Sequence, residues 1–211
     1  MNEIVVFGGG RAGRRVVAEA ASRGRAVTVV ARDPHRYTGP VGNLVRVVAG
    51  DVTDRGDVAR IAAGHSAAIH TAARMDVPST EFYVAAARAL TGGLVDAGVP
   101  RLVAVGIGTM LETQPGVRVL DAPGFPAEAR EFSLGHVAEL DVLESADAAL
   151  DWVMLAPPPV VLDEDAPRTG RYRTGGTCVL GDGAFSYADL AVALVDEAEN
   201  ARHSRALVAV G

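Results

Sequence analysis

Glu3-Ile4-Val5-Val6-Phe7-Gly8-Gly9-Gly10-Arg11-Ala12-Gly13-Arg14-Arg15-Val16-Val17 begins as an apolar run of strand length, passes through Gly8-x-Gly10-x-x-Gly13, and continues at once with helical periodicity. Strand, glycine turn and helix in that order are the context a dinucleotide-binding turn requires. Each glycine has a separate task. Gly8 permits the tight turn, and Gly10 carries no Cβ to collide with a pyrophosphate. Gly13 lets the helix lie close to the strand. The N-terminus of that helix, starting at Arg11 and Ala12, presents free N–H groups and the positive end of the helix dipole to phosphates. Alone, the three glycines are equally compatible with a plain tight turn.

Working outward, apolar runs alternate with helical segments along the whole chain. Strands are expected near 3–7, 26–31, 44–49, 67–70, 101–105, 152–155 and 205–210. Helices are expected near 11–23, from Thr53 or Asp54 to about 63, over 78–96, 127–148 and 187–199. This alternation predicts an α/β fold, a doubly wound parallel sheet of the Rossmann type with strand order 3-2-1-4-5-6-7. The 211 residues fit one domain. Two stretches break the pattern, about 106–127 and 156–183, both rich in Gly and Pro, with a short strand expected at Thr177–Leu180. They follow strands whose carboxyl ends share an edge with the glycine turn, where ligands bind in open α/β sheets. Both loops are therefore expected to cover a substrate.

Composition narrows the function. The net charge is −6, Lys is absent, and no run of Arg forms a basic stripe, so neither nucleic acid nor an anionic membrane is expected as a partner. No apolar stretch reaches the length of a membrane span, and the start lacks a charged-then-apolar leader pattern, so a cytoplasmic location is expected. Cys178 is the lone cysteine, which excludes an internal disulfide and a cysteine-based zinc site. No metal is expected. The expected partner is a small-molecule hydride acceptor, and the protein a monomer or homodimer.

The end of the second strand selects the dinucleotide. An acidic residue there bonds the ribose 2′-OH of NAD, whereas a guanidinium pairs with the 2′-phosphate of NADP. Here the sequence reads Ala31-Arg32-Asp33-Pro34. Arg32 comes first and Asp-Pro is a common turn opener. NADP, as NADPH, is the expected cofactor and NAD the alternative. Arg11 in the glycine turn, with Arg36 as a further cation, could also reach a phosphate. Asp51 after the third strand could accept the adenine amino group while Val52 packs on the ring; a helix cap is the other reading of Asp51. Ala72 and Ala73 after the fourth strand are small enough for the backbone to contact the nicotinamide ribose.

Taken together these stretches resemble the atypical branch of the short-chain dehydrogenase/reductase superfamily, the NADH-flavin reductase and biliverdin-reductase-B-like group, which overlaps NmrA-like NAD(P)-binding proteins. The signposts are Val6 to Arg15, Val30-Ala31-Arg32-Asp33-Pro34, Gly50-Asp51-Val52-Thr53-Asp54, Arg101 to Gly106, Leu150 to Pro158, Gly170-Arg171-Tyr172 and Ser186 to Ala191. The group usually shows Gly-Ala-Thr-Gly-x-Thr-Gly; this chain is one residue shorter there and lacks the Thr. The superfamily's Tyr-x-x-x-Lys acid is missing as well. The matching helix reads Phe132-Ser133-Leu134-Gly135-His136, with Phe for Tyr and His for Lys. A phenyl ring donates no proton, which excludes a carbonyl reductase of the ordinary type.

The resemblance implies hydride transfer to a flavin, quinone or similar conjugated acceptor, a reaction in which positioning carries much of the catalysis. His136 is the candidate proton source, with a surface histidine as the plain alternative. Thr109 falls where the family often has Ser, and a local turn is its plain alternative. Gly106 and Pro157 frame the nicotinamide in the family. Met110, Leu111, Phe125, Phe132 and Trp152 are candidate apolar walls, Trp152 reading better as core. His70 is expected to be a satisfied buried histidine. The alternatives are an NmrA-like protein that senses NADP without turnover and, last, a nucleotide-sugar epimerase or dehydratase.

Overall fold

The computed structural model describes residues 3–160, 162–181 and 183–211. One seven-stranded parallel sheet runs through it in the order β3-β2-β1-β4-β5-β8-β9. Its strands are β1 (Ile4–Phe7), β2 (Val27–Ala31), β3 (Val45–Ala49), β4 (Ala67–His70), β5 (Arg101–Val105), β8 (Asp151–Ala156) and β9 (Ala206–Ala209). A two-stranded antiparallel ribbon, β6 (Glu112–Gln114) and β7 (Val117–Arg118), stands apart. The expected order is the observed one, counting the seven main strands in sequence.

The pleat sorts the apolar residues onto two faces. Val5 and Phe7 of β1 join a core completed by α2 (Arg55–Ala62), α3 (Ser79–Ala97) and α4 (Ala127–Glu144). Ile4 and Val6 point the other way, into a core shared with α1 (Arg11–Ser22) and α5 (Tyr187–Glu199). Because both faces are covered, the central strands read as unbroken apolar runs. β3, at one sheet edge, has no fully buried residue, and β9, at the other, is half-buried. No helix among the described residues is long and apolar enough to cross a membrane.

Helix ends follow local chemistry. Asp54, not Thr53, caps α2 by accepting the Asp57 N–H at 2.9 Å. Gly98 closes α3 in the left-handed conformation, φ +69°. The helix expected to reach 148 stops at Glu144, because Asp147 accepts the Ala149 N–H and turns the chain into β8.

Both irregular stretches are more ordered than the pattern suggests. Leu111 and Leu120 are fully buried and pin 106–127 to the body, and the β6–β7 ribbon turns at Gly116. The strand expected at Thr177–Leu180 is a single bridge at Cys178. There the two loops are laced together, Glu112 N–H donating to the Thr177 carbonyl and Val179 N–H to the Glu112 carbonyl. Residues 173–176 pair with the free side of β9. Arg168 is fixed by two bonds to buried Glu19 on α1.

Candidate cofactor and acceptor site

The sheet order reverses between β1 and β4, and a cleft of about 1170 Å³ opens above the carboxyl ends of the strands there. Every cofactor-binding and catalytic residue proposed from the sequence lines this cleft except Gly13.

The three glycines of the turn are used in three physically distinct ways. Gly8 has φ +110°, and a Cβ on it would stand 2.5 Å from the Ala72 nitrogen. A Cβ on Gly13 would stand 1.9 Å from the Gly8 carbonyl oxygen, so only glycine lets α1 approach β1 this closely. Gly10 is different. It has an ordinary φ of −74°, and a Cβ there would meet nothing within 4 Å. Open space at that point is space a ligand can take. Gly10 also caps α1 without any side-chain bond, and the helix's first N–H groups are left for another acceptor.

Around the turn, the second-strand end behaves as the sequence suggests. The Asp33 carboxylate accepts the His35 N–H at 3.0 Å and caps a 3₁₀ turn at Pro34–Arg36. Arg32 and Arg36 are exposed and form no ion pair among the described residues. Tyr37, which sequence reading missed, lays its ring against Gly9, where a Cβ would be 2.7 Å from the ring edge. Burial pushes its phenol up to about 12, so it is neutral at physiological pH. Asp51 accepts the Thr53 N–H and hydroxyl, which leaves its other oxygen uncommitted, and Val52 is buried beside it. Arg11 is not free: its guanidinium lies 2.9 Å from Glu164, which also holds Arg14 at 3.0 Å. Glu164 comes from the second long loop and carries no motif that could have revealed it.

The other end of the cleft is apolar and assembled from distant elements. Ala72, Ala73 and Gly106 line it, and Gly108 brings the two loops into contact, a Cβ there meeting the Pro157 carbonyl at 2.4 Å. Of the proposed apolar walls only Phe132 lines the cleft. Met110 and Leu111 are core residues, turned inward at the turn Gly108–Met110; Phe125 packs against the core, and Trp152 is core within β8, the reading its sequence position favours. Met75 and Val160 are exposed at the rim instead.

Thr109 lies in the turn at Gly108–Met110, but its hydroxyl bonds far along the chain. Its hydroxyl lies 2.7 Å from that of Ser133 on α4. Ser133 in turn donates to the Ala129 carbonyl at 2.6 Å, and a carbonyl only accepts. The Thr109 proton therefore points at Ser133, and only its lone pairs remain to serve the cleft.

His136 is not a surface residue. It is 5% exposed, and its ring sits against Tyr83 of α3 with centroids 3.9 Å apart. Its Nδ1 lies 3.0 Å from the Glu139 carboxylate, the one hydrogen bond its ring makes among the described residues. Tyr83 itself lines the cleft; burial, then the Glu139 charge, raises its phenol pKa. His70 corrects its expectation: it is buried, but neither ring nitrogen is hydrogen-bonded, and Nε2 stands 3.4 Å from Glu139. Burial holds it below the usual histidine range. Tyr83 and Ser133 lacked a sequence signal, whereas Glu139 had one, since residues three apart on a helix share a face.

The family whose model matches residues 8–201 is described as NAD(P)H-binding. The chain belongs to that family. It is 30% identical to the uncharacterized protein YwnB of Bacillus subtilis over 206 residues, 94% of this chain and 92% of that one. Among solved structures it is similar to a Bacteroides thetaiotaomicron protein provisionally named an epimerase, with 27% identity and a TM-score of 0.87 over 100% of this chain and 96% of that one. It is also similar to a Streptococcus pneumoniae protein provisionally named an NADH-flavin reductase, with 25% identity and a TM-score of 0.83 over 100% and 99%. The fold is thus a Rossmann NAD(P)-binding domain of the oxidoreductase type, and a nicotinamide cofactor fits the space at Gly10.

Proposed function

We propose that this protein is an NADPH-preferring oxidoreductase that passes hydride to a flat conjugated acceptor such as a flavin or quinone. The reading is carried by the cleft itself, which runs from two unpaired arginines, over an open glycine turn, into an apolar chamber containing an imidazole. Arg32 and Arg36 pair with the 2′-phosphate, while Gly8, Gly10, Arg11 and Ala12 cradle the pyrophosphate. Asp51 and Val52 hold adenine. Ala72, Ala73, Gly106 and Pro157 frame the nicotinamide, and Thr109 accepts a hydrogen bond from its carboxamide or from the acceptor. Bound NADPH would supply the hydride. Met75, Val160 and Phe132 offer a planar acceptor apolar contact. His136 supplies a proton from Nε2.

Calorimetric titration with NADPH and NADH side by side tests the cofactor assignment. NADPH is expected to bind in the micromolar range and NADH more weakly. Arg32→Ala is expected to weaken NADPH by about tenfold or more while leaving NADH within about twofold, the loss of one charge-assisted contact. An unchanged NADPH/NADH ratio sinks the role of Arg32. Tight NADPH binding with no oxidation in the presence of FMN or menadione would instead favour a cofactor sensor.

A further inference from the structure

Four carboxylates among the described residues are buried: Glu19, Glu139, Asp189 and Glu197. Three are compensated in the usual ways. Glu19 is held by Arg23 and Arg168, and Glu197 by Arg101 and His203. Asp189 accepts from two backbone N–H groups and two hydroxyls. Glu139 is 1% exposed, and no guanidinium reaches it. The titratable groups that face it are His136 on its own helix, His70 from β4, and Tyr83 from α3. A buried carboxylate without strong compensation destabilises a fold, and an apolar side chain there would be cheaper. Placing this one behind His136, the only imidazole that lines the cleft among the described residues, gives it a chemical purpose.

We propose that Glu139 is a positioning residue for His136: it accepts the Nδ1 proton, fixes the ring tautomer, and keeps Nε2 facing the acceptor as a proton donor. This rests on the oxidoreductase reading above. The Tyr83 ring on one side and Phe132, edge-on at 5.4 Å, leave the imidazole little room to rotate. Burial holds His70 below the usual histidine range and it stands 3.4 Å from the second Glu139 oxygen, so His136, at 3.0 Å, is the imidazole within hydrogen-bond reach of the carboxylate. In the reaction the acceptor takes two electrons and a hydrogen as hydride, and the atom that becomes negative takes the Nε2 proton. His136 is left neutral, Nδ1–H still donating to Glu139. Solvent at the cleft mouth returns the proton, so one NADPH and one proton are consumed for each acceptor reduced.

Histidine-selective ¹⁵N NMR of the protein without ligands tests the arrangement independently of turnover. Neutral His136 is expected to carry its proton on Nδ1, and in Glu139→Gln its titration is expected to move to lower pH by about one unit, the loss of an adjacent opposite charge. An Nε2–H tautomer, or a titration unmoved in Glu139→Gln, overturns the proposal. Kinetics with NADPH and FMN separate it from the reading beneath it. Both His136→Gln and Glu139→Gln are expected to lower kcat by about tenfold or more, with the KM for NADPH unchanged. In Glu139→Gln the fall of kcat at high pH is expected to begin at lower pH. A loss confined to His136→Gln would overturn the role of Glu139 alone, and wild-type kcat in His136→Gln would overturn the acid and with it this proposal. If Glu139→Gln fails to fold, Glu139→Asp keeps the charge but withdraws the oxygen; it is expected to lower kcat while leaving the pH at which kcat falls in place, and an unaltered kcat overturns the proposal.

Discussion

The two ends of the cleft are built by different means. At the phosphate end the working surface is backbone: a turn of six residues, a helix N-terminus, and two short strand ends that supply Arg32 and Asp51. At the acceptor end the surface is largely side chain, gathered from the end of β4, α3, α4 and both long loops, with Thr71, Tyr83, Thr109, His136 and Pro157 spread along much of the chain. The first end depends mainly on absent Cβ atoms in one short turn, where backbone segments meet closely. The second depends on tertiary packing, and single side chains there can change without disturbing the sheet. Damage to the phosphate end should therefore reach the fold, while damage to the acceptor end should reach only turnover.

Gly13→Ala puts the first half of that contrast under the greatest stress. The added Cβ would collide with a backbone oxygen at 1.9 Å, and neither α1 nor β1 can withdraw cheaply. A loss of about 3 kcal/mol or more is expected, seen as a melting temperature lower by roughly 10 °C. A variant that melts like the parent would mean that the turn is softer than its geometry implies. Gly10→Ala should separate binding from folding within the same turn. Its φ of −74° suits alanine and nothing lies within 4 Å, so stability should change by no more than about 1 kcal/mol either way. NADPH binding should nevertheless weaken by at least tenfold, about 1.4 kcal/mol, because the methyl group fills the pyrophosphate space. Parent-like affinity in that variant would remove the phosphate end from the cleft's function.

The same contrast explains what could be read from the sequence. The glycine turn, the strand order, Arg32 with its Asp33-Pro34 turn, and the small residues Ala72 and Ala73 were legible because their causes are local: apolar periodicity, absent Cβ atoms, a proline after an aspartate. The acceptor end was legible only as single residues. His136 could be named from its place in the helix, but not its burial, because burial comes from Tyr83, fifty-three positions earlier. Thr109 could be named but not its partner, since Ser133 meets it only once the loop after β5 folds onto α4. The supposed walls Met110 and Leu111 were misplaced for a related reason: a 3₁₀ turn decides which way a loop residue points, and loop composition does not reveal it, any more than it reveals that Phe125 packs against the core.

Glu164 ties the second long loop to the glycine-turn helix, and altering it should have the smallest effect. Glu164, in the loop over the acceptor end, lies against Arg11 and Arg14 at the phosphate end. These pairs are partly exposed, so Glu164→Gln should cost less than about 1 kcal/mol of stability. It should also release two guanidinium groups that the carboxylate now neutralises beside the first turn of α1. NADPH affinity is expected to rise by about twofold to fivefold at low ionic strength. The gain should shrink as salt is added, since exposed charges are screened within roughly 10 Å at 0.1 M. Titrating wild type and variant at two salt concentrations measures it. Equal affinities at both would leave the phosphate end independent of the loop that crosses it. A salt-dependent gain would make the loop a counter-charge that cofactor phosphates must displace, and the rate of NADPH release in the variant should then fall in proportion.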